Sequence, residues 1–126
     1  MTYGKAVREE LRTPARELRR AIPDVYRGYA ELHGATLRAG ALDVKTKELI
    51  AFAIAVGKQC DGCIAAHAQG AVNAGATLQE AAEAIGVAIL MNGGPGTVYG
   101  PRAYAAFGEF HTAAGGSTPT VTHDSR

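Results

Sequence analysis

Glu48, Cys60, Cys63 and His67 stand at spacings that permit thiol chemistry. Cys60 and Cys63, the chain's two cysteines, form a Cys-X-X-Cys pair inside the stretch QCDGCIAAH, which ends at His67. Three readings are open: a redox dithiol with its own base, part of a metal site, or two ordinary thiols that happen to be neighbours. If a helix starts at about Cys60, then Cys60, Cys63 and His67 lie at i, i+3 and i+7 on one face. The first helical turn leaves N–H groups unpaired and carries partial positive charge, and both favour a thiolate. In such settings a cysteine pKa falls from about 8.5 to roughly 3.5–7.5; near 6.5, about 75% would be thiolate at pH 7.

His67, one turn beyond Cys63, is placed to take a thiol proton and return it to a leaving group. Glu48 lies twelve positions before Cys60 and shares a helix face with Phe52, Ala55 and Gln59. It reaches the dithiol if two consecutive helices fold back as neighbours; otherwise it is an exposed carboxylate near a helix start. A structural zinc takes four ligands, and Cys60, Cys63, His67 and Glu48 are the candidates, with no second Cys/His pair to help.

These residues need helices to hold them, and the pattern supplies about six. Residues 4–21 are amphipathic, with Val7, Leu11 and Leu18 on one side; Thr13-Pro14 interrupts them and could start a helix afresh. Pro23 opens a second helix with Val25, Tyr29, Leu32 and Leu37 as its apolar stripe, ending near Gly40. Asp43 caps VKTKELIAFAIAVGKQ, whose apolar middle marks a helix buried all round or at a subunit interface. The Cys60–Asn73 helix follows, stopped at Asn73-Ala-Gly75, and Thr77–Glu80 is a capping-box match before AAEAIGVAILMN. Asn92-Gly-Gly-Pro-Gly96 breaks that helix, and Pro101 starts the last one, through Tyr104, Phe107 and Phe110 to about Ala114.

The fold expected is therefore all-α, a single domain over residues 1–114 with a disordered tail at 115–126. The 126 residues are rich in alanine, lack tryptophan and carry a formal net charge of +1. That balance gives no field to attract nucleic acid or an anionic membrane. Arg8, Arg12, Arg16, Arg19 and Arg20 interleave with Glu9, Glu10 and Glu17, which reads as a solvated helix face. The opening residues contain no apolar run and no stretch has 18 uninterrupted apolar residues, so neither a secretory signal nor a membrane span is expected, and the location expected is cytoplasmic.

Glu48, eleven residues, Cys60-X-X-Cys63, three residues and His67 resembles the motif of the alkylhydroperoxidase D-like proteins of the carboxymuconolactone decarboxylase family. LHGATLRAGALDVKTKELIAFAIAV, the turn at Asn73 and MNGGPGTVYGPRAY extend the resemblance over roughly residues 20–110. It implies a helical bundle with the dithiol at a helix start, homo-oligomers (trimers or hexamers), and peroxide reduction without a metal or organic cofactor. It casts Cys63 as the peroxidatic thiolate, Cys60 as proton donor to the leaving oxygen and then resolving thiol, and Glu48 and His67 as a proton relay. An external dithiol of lipoyl or thioredoxin type would restore the reduced state. The chain departs at Gly62, where the best-known peroxidases of the family carry a histidine. The alternatives are decarboxylase-like chemistry, which does not use the cysteines, and a non-enzymatic thiol sensor or metal-binding oligomer.

Overall fold

A computed structural model of the chain describes residues 2–116. It contains six helices and, among the described residues, no strand: α1 (Lys5–Ala21), α2 (Pro23–Leu37), α3 (Val44–Gly57), α4 (Asp61–Asn73), α5 (Leu78–Asn92) and α6 (Gly94–Ala113). Residues 117–126 of the expected tail lie outside the described residues.

The core is built by α3 to α6. Phe52, Val56, Ile64 and Phe107 are the large side chains fully buried there, and the Phe52 and Phe107 rings meet at 6.0 Å. Between them lie buried alanines, among them Ala65, Ala68, Ala81 and Ala103. Their small side chains let the helices approach closely, so a few aromatic rings suffice to fill the interior. The Asp43 carboxylate accepts the Thr46 N–H at 2.7 Å at the start of α3, and both bonds of the Thr77–Glu80 capping box are made at the start of α5.

Two proline expectations are corrected. α1 runs unbroken through Pro14. Pro14 and Glu10 are both exposed, so the Glu10 carbonyl that Pro14 cannot pair is open to water. α6 likewise starts at Gly94 and has Pro101 inside it. Packing against α5 overrides the local breakers: a Cβ on Gly96 would sit 2.9 Å from Ile89 Cα, and one on Gly100 3.0 Å from Ile85 Cγ2. Glycine permits that approach, and the burial it brings outweighs poor helix propensity.

The link between α3 and α4 is only Lys58 to Cys60, and it closes α3 tightly. Cys60 N–H donates to the Ala55 carbonyl at 3.3 Å and Gln59 N–H to that of Val56 at 3.1 Å, a Schellman motif. The left-handed position belongs to Gln59, with φ +55°, whereas α4 ends the same way with Gly75 at φ +90°. A side chain in that region costs about 1–2 kcal/mol. Gln59→Gly is therefore expected to stabilise the fold by about 1 kcal/mol, part of the relief being offset by the entropy of glycine in the unfolded chain. Thermal unfolding of the two proteins measures it; a lower midpoint for the variant would refute it.

α1 and α2 lie outside this core, and neither buries a residue within the chain. The stripe read on α2 exists, but Val25, Tyr29 and Leu32 remain 64%, 63% and 63% exposed. α2 is held by its end: Lys47 Nζ of α3 donates to the carbonyls of Thr36 and Arg38 at 2.9 and 2.6 Å. That anchor leaves His33, in the second half of α2, with its ring facing that of His67 on α4. No helix is long and apolar enough to cross a membrane among the described residues.

Candidate functional site

Cys60 precedes the helix instead of opening it. It is the N-cap of α4, with extended backbone (φ −109°, ψ 97°), and its Sγ accepts the Cys63 N–H at 3.3 Å. The same residue closes the Schellman motif of α3, so both helix ends fix its position. Asp61 follows in the first turn, where Arg102 Nη1 of α6 donates to its Oδ2 at 3.5 Å. The Arg102 guanidinium lies over the rings of Tyr99 and Tyr3, at 4.8 and 5.3 Å from their centroids. Cys63 is exposed and Cys60 half-buried, and both are free thiols.

This arrangement changes the electrostatics expected from spacing alone. The Cys63 thiol is pushed up to about 11, first by its hydrogen bond to the Cys60 sulfur, then by desolvation and by charge on Cys60. Its own backbone N–H acts the other way and is outweighed. The expected lowering of the Cys63 pKa is thus corrected. The helix end spends its donor on Cys60, and two adjacent sulfurs compete for one negative charge. At a pKa near 11 only about one Cys63 in 10⁴ is thiolate at pH 7. A group that removes its proton during reaction therefore matters more than the helix dipole.

A candidate for that role lines the same cleft as Cys63. Glu48 is the buried charged residue of the core, only 6% exposed, and its Oε2 meets His67 Nδ1 at 2.8 Å. With a carboxylate accepting from Nδ1–H, Nε2 is the basic nitrogen of the ring. Glu48 is not the exposed helix-start carboxylate of the plainer reading, because α3 and α4 pack together and bury it. Glu48 and Gly70 share this contact: a Cβ on Gly70 would lie 2.5–2.7 Å from the three carboxyl atoms of Glu48. Gly70→Ala is expected to displace the carboxylate from His67 and to cost about 1–3 kcal/mol of stability, because the part-buried Glu48–His67 contact would be broken. Denaturant unfolding checks the cost, and an unchanged Gly70→Ala protein would show that Glu48 has room to move.

Cys63, Glu48 and His67 share a cleft of about 420 Å³ whose walls include Arg8, Tyr29 and His33. His33 is the residue the sequence reading missed as part of the site. Its ring lies 6.2 Å from that of His67, 16° from parallel, and 6.3 Å from the Tyr29 ring. The i, i+4 pair Tyr29/His33 was visible, but nothing in the spacing ties position 33 to position 67; only the anchored α2 does. At Gly62, a Cβ would meet Leu11 Cδ1 of α1 at 3.2 Å. Leu11 of α1 thus packs close to Gly62, and the second imidazole beside His67 comes from α2. Among the described residues, no three His, Cys, Asp or Glu side chains are grouped to hold a metal. Glu48 and His67, counted above as possible zinc ligands, direct donor atoms at each other.

The profile of the carboxymuconolactone decarboxylase family matches residues 23–109, from the start of α2 almost to the end of α6. A family protein from Legionella pneumophila has the same fold at a TM-score of 0.80 and 43% identity, over 83% of this chain and 94% of that one. A Thermotoga maritima family protein, for which involvement in an antioxidative response has been suggested, aligns with a TM-score of 0.73 and 30% identity, over 90% and 97% of the two chains. An uncharacterised protein of Cupriavidus necator is 38% identical over 90 residues, covering 71% of this chain and 80% of its own length. With its core helices, its buried Glu48–His67 pair and its cysteines all inside or beside the matched segment, the chain belongs to the carboxymuconolactone decarboxylase family.

Proposed function

We propose that the protein is a thiol peroxidase that reduces hydroperoxides through Cys60 and Cys63, with Glu48 and His67 as its proton relay. The observation that carries this reading is the 2.8 Å Glu48–His67 contact in the cleft that exposes Cys63. His67 takes the Cys63 proton, and the thiolate attacks the terminal oxygen of the peroxide. The O–O bond breaks, Cys63 becomes a sulfenic acid, and the departing alkoxide leaves as an alcohol once protonated by Cys60 or the relay. The Cys60 sulfur then displaces water from Cys63, forming the Cys60–Cys63 disulfide. An external dithiol reduces that disulfide by exchange, so one peroxide and one dithiol give an alcohol, water and a disulfide. The antioxidative role suggested for the Thermotoga relative points the same way.

The working form is a homo-oligomer in this reading, a trimer or hexamer. Leu90 and Met91 of α5 are 80% and 77% exposed and Ile54 of α3 is 57% exposed, apolar surface that a second copy would cover.

The test is to count free thiols in the reduced protein after adding cumene hydroperoxide, then to add dihydrolipoamide. Two thiols lost per chain and recovered on cycling support the reading; thiols indifferent to peroxide would defeat it. Cys60→Ser separates the two sulfurs. It removes the main cause of the raised Cys63 pKa, so the midpoint of iodoacetamide alkylation against pH should move down from about 11. It also removes the resolving thiol, so peroxide should leave a sulfenic acid that dimedone traps. An unmoved midpoint, or no adduct, would reassign the roles of the pair.

A further inference from the structure

Arginines and glutamates alternate along α1 in sequence, but the helix sorts them. Arg8, Arg12, Arg16 and Arg19 are spaced by four, four and three residues and share one face, while Glu10 and Glu17, seven apart, share the opposite one. The face is solvated, as the sequence suggested, and the helix gathers the four arginines on one side of it. Arg12 pairs with exposed Glu9 at 3.0 Å and Arg19 lies 5.5 Å from the Tyr26 ring centroid. Neither Arg8 nor Arg16 has a carboxylate within ion-pair distance among the described residues. Like charges three and four apart destabilise a helix, and α1 buries no residue in return.

These arginines, with Leu11 and Ala15, line a groove of about 360 Å³ that ends at Gly62, between the two cysteines. Arg8 and Gly62 line both this groove and the cleft that holds Cys63. From Arg8 to Arg19 the strip is about 16 Å long at 1.5 Å per residue. One small anion would touch one or two of its guanidinium groups; an extended acidic surface would engage all four.

We infer that the arginine face of α1 is the docking strip for an acidic protein segment that delivers the reducing dithiol to Cys63. The inference rests on the redox reading above. The docked segment lies along the groove with its dithiol at the Gly62 end. One of its thiolates attacks Cys63, the exposed sulfur of the disulfide, and the electron pair leaves on Cys60, whose sulfur accepts the Cys63 N–H. The second thiol of the partner then displaces Cys63, taking the oxidation with it as a disulfide.

A fluorescent twelve-residue peptide containing six glutamates and no thiol, and its glutamine counterpart, test the strip without redox chemistry. At 20 mM NaCl the glutamate peptide should bind the full-length protein at least about tenfold more tightly, with the preference shrinking at 300 mM. Arg12→Glu/Arg16→Glu should erase the preference, and Arg12→Lys/Arg16→Lys should keep most of it. The same peptides carrying dihydrolipoyl-lysine should show a matching ratio of kcat/KM for peroxide turnover, about tenfold in the wild type and about one in the reversed variant. Equal binding of the two peptides, insensitivity to salt, or tighter binding of a DNA oligonucleotide of equal charge would overturn the inference. Failure of dithiothreitol to reduce the peroxide-treated protein would instead count against the redox reading, while the thiol-free binding result stands.

Discussion

Cys63→Ser is expected to abolish peroxide consumption, a fall of at least about 10³-fold in kcat/KM. A serine hydroxyl at Cys63 is nearly isosteric but is far harder to ionise and cannot carry the sulfenic acid that stores the oxidation. The residue is exposed, on the rim of its cleft, so the substitution should leave stability within about 0.5 kcal/mol of the wild type. That separates lost chemistry from lost fold. The thiol count provides a second readout: the wild type should lose two thiols per chain to peroxide, the variant none by the same route. Undiminished peroxide turnover in Cys63→Ser would remove Cys63 from the reaction and defeat the thiol peroxidase reading.

The caps carried much of the fold in plain view. Asp43 and the Thr77–Glu80 box are local devices, set by side chains reaching backbone three residues away, and both sit where the sequence placed them. The prolines misled because their effect is decided at a distance: Pro14 is harmless on an exposed face, and Pro101 is held in α6 by the Gly96 and Gly100 contacts with α5. At the site, the motif spacing pointed to Glu48, Cys60, Cys63 and His67, and the structure joins Glu48 to His67 and Cys60 to Cys63. What spacing could not carry was the contest between two sulfurs for one helix-end donor, which depends on Cys60 being the cap and not the first helical residue. His33 was hidden for a similar reason. Its place follows from the Lys47 anchor on the end of α2, a tertiary contact with no signature near position 33.

Glu48→Gln is the sharper probe of the relay, because an amide keeps the volume and a hydrogen-bonding oxygen but not the charge. It should slow peroxide reduction by about 10²–10⁴-fold at pH 7, and His67→Leu by a similar factor. The raised Cys63 pKa predicts more than a loss. Without the relay, reaction must wait for spontaneous thiolate, about 10⁻⁴ of the population at pH 7 and about 10⁻¹ at pH 10 for a pKa of about 11. The rate of either variant should therefore climb nearly tenfold per pH unit between 7 and 10. In the proposed mechanism His67 takes the proton in the wild type, whose rate should rise far less over the same range. A merely structural Glu48 would lower the rate without steepening its dependence on pH. Parallel pH profiles for the wild type and both variants would thus leave Glu48 and His67 as packing residues, whatever the size of the loss at neutral pH.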